Sequence, residues 1–66
     1  MINKIKQFRK IKGYRQEDLA KLTNVSRQTI IAIENNKYSP SLELAMKLAR
    51  CLDTTVEELF ELEDYL

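Results

Sequence analysis

Cys51 is the sole cysteine and histidine is absent altogether, and in so short a chain those two facts decide most of what the fold can be. A domain of 66 residues buries only roughly 60% of the surface its unfolded chain exposes. It therefore needs disulfides, a structural metal, oligomerisation or tight helix packing to hold together. One cysteine closes no disulfide within the chain, and with a single cysteine and no histidine no structural zinc site of the Cys/His kind can be assembled. Set among Leu, Ala and Met, Cys51 reads as a small buried apolar residue rather than a reactive thiol. Helix packing and oligomerisation remain. The same inventory argues against an enzyme, because it offers no acid–base pair, no activated nucleophile and no glycine-rich phosphate loop. No cofactor and no small-molecule ligand is expected.

The punctuation fits five short helices in a single domain over residues 1–66, with one Gly and one Pro in the whole chain. The first is expected from about Asn3 to Lys12, with Ile5, Phe8 and Ile11 at helical spacing and Gly13 as its C-cap. The second runs from Gln16 to about Thr23, with Glu17 and Asp18 at its positive end and Leu19, Ala20 and Leu22 facing inward or toward a neighbour. Asn24 stands at a sharp turn, where asparagine tolerates left-handed backbone. Ser26 caps a third helix from Arg27 to about Asn35, with Ile30 and Ile33 inward; Asn35-Asn36 reads as a left-handed exit. The fourth follows Ser39-Pro40-Ser41 and carries Leu42, Ala45, Leu48, Ala49 and Leu52. Thr55 with Glu58 reads as a capping box for a very short fifth helix, Val56 to about Phe60. Two readings stay open for the last residues: a short strand pairing with Met1-Ile2-Asn3, or a frayed helical end.

Charge is divided unevenly along this frame. The net +1 conceals a segment 1–50 that holds all 11 Lys and Arg against four acids, for +7, and a segment 51–66 with six acids and no base, for −6. A basic body with an acidic tail suits a polyanionic partner. No apolar run approaches the roughly 18 residues that span a membrane, and the opening Met1-Ile2-Asn3-Lys4-Ile5-Lys6 lacks the apolar core of a signal peptide. A cytoplasmic protein with no membrane partner is expected.

Residues 16–35 read as helix, tight turn, helix, with the small Ala20 where the two helices cross and Val25 and Ile30 filling the gap beneath. The outward side of the third helix is unlike a merely solvated face. Arg27 can donate two hydrogen bonds to guanine, Gln28 can pair bidentately with adenine, and Thr29 and Ile31 can meet a thymine methyl. Ala32 keeps the helix slim enough for a major groove.

These residues resemble the Cro and lambda-repressor-like family of helix-turn-helix proteins. The likeness spans residues 4–60 through Phe8-Arg9-Lys10, Gly13-Tyr14, Gln16-Glu17-Asp18-Leu19-Ala20, Val25-Ser26-Arg27-Gln28-Thr29-Ile30, Ile33-Glu34-Asn35-Asn36-Lys37 and Pro40-Ser41-Leu42-Glu43-Leu44-Ala45. It is nearest to the short stand-alone bacterial and phage repressors. The resemblance implies an all-α, compact five-helix DNA-binding domain that acts as a transcriptional repressor. It further implies that Ser26, Arg27, Gln28 and Thr29 face base edges or adjoining phosphates, that Gln16, Asn35 and Lys37 hold phosphates, and that Arg9 and Glu34 form an internal salt bridge. Two departures stand out. Arg15 replaces the Thr or Asn that usually caps the second helix, a loss of about 1 kcal/mol that frees a positive charge toward phosphate. Asn24 and Asn36 stand where Gly is usual.

Together these readings expect a double-stranded DNA operator, bound through Lys10, Arg15, Gln16, Asn35 and Lys37 at phosphates and through Ser26, Arg27, Gln28, Thr29 and Ile31 at bases. One such head covers too few base pairs for a genomic address. A homodimer on an inverted repeat, with half-sites about 34 Å apart, answers that. Its interface is expected in segment 53–66, through Val56, Phe60, Leu62, Tyr65 and Leu66; the opposing reading has Val56 and Phe60 only closing the core. A protein-binding adaptor and an antitoxin are the rival readings, and salt-dependent DNA binding separates the adaptor from the regulator.

Overall fold

The computed structural model describes residues 1–63. Its elements run β1 (Ile2–Asn3), α1 (Ile5–Lys12), α2 (Gln16–Thr23), α3 (Arg27–Glu34), α4 (Leu42–Cys51), α5 (Val56–Leu59) and β2 (Phe60–Glu61). Of the two readings for the chain end, the strand is the one adopted: β1 and β2 pair antiparallel, Ile2 opposite Glu61 and Asn3 opposite Phe60. Tyr65 and Leu66 lie outside the described residues.

Side-chain caps start α3, α4 and α5. Ser26, Ser41 and Thr55 each accept from the backbone N–H three residues on, at 3.2, 3.1 and 3.1 Å, which satisfies a donor that the first helical turn leaves open. The first four helices then stop in one shared way. A left-handed residue follows each of them, Gly13, Asn24, Asn36 and Asp53, with φ of 76°, 60°, 57° and 55°. The next residue's N–H bonds back five positions: Tyr14 to Arg9, Val25 to Ala20, Lys37 to Ala32 and Thr54 to Ala49, at 2.8–3.0 Å. This is the Schellman closure. Only one of the four stops uses glycine; the others rely on the tolerance of Asn and Asp for left-handed backbone. Asp53 adds an ion pair to Lys12, so the exit of α4 is tied to the end of α1.

The core is one cluster. Ile5, Leu19, Ile30, Ile33, Leu48, Leu52 and Leu59 are its fully buried large side chains. Phe8, Tyr14, Val25, Cys51, Val56 and Phe60 pack around it, partly buried. α2 is the hub, packing on both α3 and α4, and α4 in turn holds α5.

Several expected faces are corrected. α1 begins at Ile5, because Asn3 belongs to β1 and its Oδ1 accepts from the Ile5 N–H at 3.3 Å. Ile11, Leu22 and Leu42 are 79%, 54% and 72% exposed. In α1 the inward line passes through Ile5 and Arg9, which turns Ile11 to solvent. In α2 it passes through Leu19, Ala20 and Thr23, the last donating its hydroxyl to the Leu19 carbonyl at 2.8 Å. In α4, Leu44 takes the buried place expected for Leu42.

Candidate nucleic-acid interface

α3 owes its position to a polar cluster at its far end. Glu34 closes the helix, and its carboxylate accepts from Arg9 Nε at 2.7 Å, Arg9 Nη2 at 3.4 Å and Gln16 Nε2 at 3.1 Å. Arg9 Nη1 reaches the Tyr14 carbonyl at 2.8 Å. The side chains of Arg9 and Glu34 are only 10% and 4% exposed. One carboxylate thus ties α1, the start of α2 and the end of α3, with donors on both of its oxygens. Burying an ion pair is tolerable only when its remaining hydrogen-bonding capacity is met in this way, and among the described residues no buried side-chain nitrogen or oxygen lacks a partner.

A second tie comes from the chain start. Asn3 Nδ2 donates to the Ile33 carbonyl at 2.9 Å and to Asn36 Oδ1 at 2.9 Å, so β1 fixes the exit of α3. The sequence places Asn3 in a candidate terminal strand but does not disclose these side-chain bonds. A bond between positions 30 apart leaves no mark on local spacing.

At the near end of α3, Ser26, Arg27 and Gln28 are exposed, while Thr29 and Ile31 are half-buried. The Ser26 and Thr29 hydroxyls lie 3.0 Å apart and bond each other. Arg27 and Gln28 are unengaged among the described residues, so their full donor sets face solvent. Lys10 and Lys37 are likewise exposed and outside every ion pair among the described residues. Asn35 is exposed too, its backbone N–H bonded to the Ile31 carbonyl at 3.0 Å.

Two of the expected phosphate ligands are occupied internally. Gln16 serves Glu34, which a donor must do because a carboxylate only accepts. Arg15 is folded over α2: its Nε and Nη2 lie 3.3 and 3.2 Å from the Asp18 carboxylate, which also accepts from the Arg15 backbone N–H at 2.8 Å. A guanidinium has no acceptor, so the forward half of the cap is lost as the sequence indicates, but the reciprocal half from Asp18 is present. The side-chain and backbone bonds from Arg15 hold the Asp18 carboxyl below the usual carboxylate range.

Val56 and Phe60 are half-buried against the chain's own core, whereas Leu62 is 75% exposed. No cluster of metal-ligating side chains occurs among the described residues, and no helix there is long and apolar enough to cross a membrane.

Comparison with known proteins gives a consistent set of relatives. The profile described as "Helix-turn-helix" matches residues 5–59. An uncharacterized HTH-type transcriptional regulator of Methanocaldococcus jannaschii is 53% identical over 64 residues, spanning 97% of each chain. The SinR protein/SinI protein complex superposes with a TM-score of 0.78 at 37% identity, covering 86% of this chain and 57% of that one. The biofilm master regulator SinR in complex with DNA superposes with a TM-score of 0.76 at 36% identity, covering 82% and 87%.

Proposed function

We propose, from the premise that this chain belongs to the helix-turn-helix family of Cro and lambda-repressor-like transcriptional regulators and is not an enzyme, that it reads a specific double-stranded DNA operator through α3. The observation that carries this reading is the contrast between the two ends of that helix. Its C-terminal end is pinned by a buried ion pair, while Arg27 and Gln28 at its N-terminal end are exposed and uncommitted. A rigidly seated helix presenting free bidentate donors is what major-groove readout requires. The reading unit is 16–35.

In this reading Arg27 and Gln28 discriminate bases, Ser26 and Thr29 act as a bonded hydroxyl pair at the groove edge, and Ile31 meets a methyl group. Lys10, Lys37 and Asn35 hold phosphates. Gln16 joins them through its second amide hydrogen, and Arg15 does so by exchanging Asp18 for phosphate. Val56, Phe60, Leu62, Tyr65 and Leu66 of segment 53–66 serve a homodimer that spans an inverted repeat. The protein acts in the cytoplasm as a repressor, since occupying a promoter needs no contact with polymerase.

The test is a titration into duplex from upstream of the gene, beside a scrambled duplex, over a salt series. Tight binding to the first alone, at two chains per site, is expected. Arg27→Ala should cost about 1–3 kcal/mol and relax preference at one base pair, whereas Lys37→Ala should weaken both duplexes alike and lower the salt slope by about 1. Absence of binding to either duplex at low salt would exclude the reading.

A further inference from the structure

The outward side of α4 is the part of the surface that DNA reading leaves unexplained. Two rows of side chains four residues apart run along it, Leu42–Met46–Arg50 and Glu43–Lys47. Between them lies a groove of about 350 Å³ lined by those five residues. Leu42 and Met46 are 72% and 53% exposed, an apolar pair on a helix whose core residues lie on the opposite side. The groove runs on into a second hollow lined by Met46, Ala49, Arg50, Thr54 and Val56, and Val56 is the first of the residues assigned above to dimerisation.

We infer that this groove seats the same helix of a second copy, antiparallel, about a two-fold axis near Met46. The inference rests on the dimeric reading and moves the centre of its interface from the tail to α4. Rows four residues apart are the ridges that interdigitate when two helices pack at about −50°. A two-fold contact must be self-complementary, with residue i meeting j and j meeting i. The order of charges here meets that condition. Glu43 lies seven positions before Arg50, and Met46 falls between them. The axis therefore sets Leu42 along the aliphatic stem of Arg50 of the partner subunit and Glu43 against its guanidinium.

Charges within the chain are consistent with this. Glu43 Oε2 pairs with Lys47 Nζ at 3.2 Å, which leaves Oε1 to accept from the guanidinium of Arg50 of the partner subunit, and Arg50 makes no ion pair among the described residues. A partner of one charge sign would meet opposition from either Glu43 or Arg50; a second copy does not. One helix face buries less than the roughly 1,200 Å² of a stable association, and the second hollow, reaching Val56, extends the contact. None of the lining residues belongs to α3.

Sedimentation equilibrium on the full chain tests this, with helicity and melting recorded to show that each variant folds. The wild type should be a dimer. Met46→Glu should raise its dissociation constant about thirtyfold or more, as loss of an interface centre does. Glu43→Arg should weaken it as well, and adding Arg50→Glu should restore it, a recovery that non-specific damage cannot produce. A wild-type dimer unaffected by Met46→Glu and Glu43→Arg, yet broken by Leu62→Asp, would overturn the α4 assignment and leave the dimer on the tail. A wild type that stays monomeric at the highest soluble concentration would overturn the dimeric reading itself, and this inference with it.

Discussion

The C-terminal end of α3 and the two ends of the chain are fastened in opposite ways. At Glu34 a carboxylate with three donor bonds, almost wholly out of water, locks three helices together. At the terminal sheet, two residues pair with two, helped by the Lys4 N–H bond to the Leu59 carbonyl at 2.8 Å and a Lys4–Glu61 bridge at 3.1 Å that is about half exposed. Attraction follows dielectric: the same charges pull several-fold harder where water is excluded, and although desolvation offsets much of that gain, removing one partner strands the other. The head is therefore built to hold an angle, and the terminal pairing only to hold a position. Asn3 is where the regimes meet, since its backbone belongs to the sheet and its amide to the exit of α3.

The strongest test of this contrast is Glu34→Ala. It leaves Arg9 and Gln16 facing a buried void, and urea unfolding should show a loss of about 3–5 kcal/mol. A loss below about 1 kcal/mol would mean the cluster is wet and the contrast false. Asn3→Ala comes next. It removes both bonds from the Asn3 amide, but the Ile33 carbonyl keeps the Asn36 N–H at 3.0 Å and the exposed Asn36 side chain turns to water, for an expected loss of about 0.5–1.5 kcal/mol. DNA affinity should fall further than stability alone explains because the exit of α3 is released. Lys4→Ala should change stability by no more than about 0.5 kcal/mol, as exposed pairs do. Comparing its double-mutant cycle with that of Arg9 and Glu34 would put numbers on the two regimes.

The smallest effect is a pH dependence. Because Arg15 lowers the Asp18 pKa in the folded state, Asp18 adds stability at neutral pH, fully present above the unfolded value near about 3.9. That contribution disappears as pH falls through the lower folded value. Asp18→Asn should flatten this part of an acid melt, and a profile unchanged by the substitution would show the Arg15 bonds to be transient.

Capping chemistry made much of this fold legible. Ser26, Ser41 and Thr55 precede their helices by one residue, and Gly13, Asn24 and Asn36 mark three of the four left-handed exits. These are signals between neighbours in sequence. The misplaced faces have one cause. Helices of eight residues make barely two turns, so an apolar residue beside the inward line, such as Ile11 or Leu22, is told from one on it only by what packs there. Leu44 and Leu59 are buried for the same reason, because α2 and α5 sit where they do. Asp53 escaped because aspartate marks a left-handed exit less often than glycine or asparagine. In the candidate site, residue types that read bases are visible in sequence. That Arg15 is spent on Asp18 and Gln16 on Glu34 is a matter of geometry, as is the bond from Asn3.

The pairing of Ile2 with Glu61 also sets an order in time. It joins positions separated by nearly the whole chain, and closing so long a loop in an unfolded chain costs about 3.6 kcal/mol in entropy beyond a fixed term, more than two residue pairs of exposed sheet return. The ends therefore cannot meet first. They come together after α2, α3 and α4 have shortened the path between them, and they separate before those helices do. The contact through which Asn3 steadies the exit of α3 is thus expected to form after the core, and a chain caught short of that step would carry a packed core with α3 unsettled at its exit.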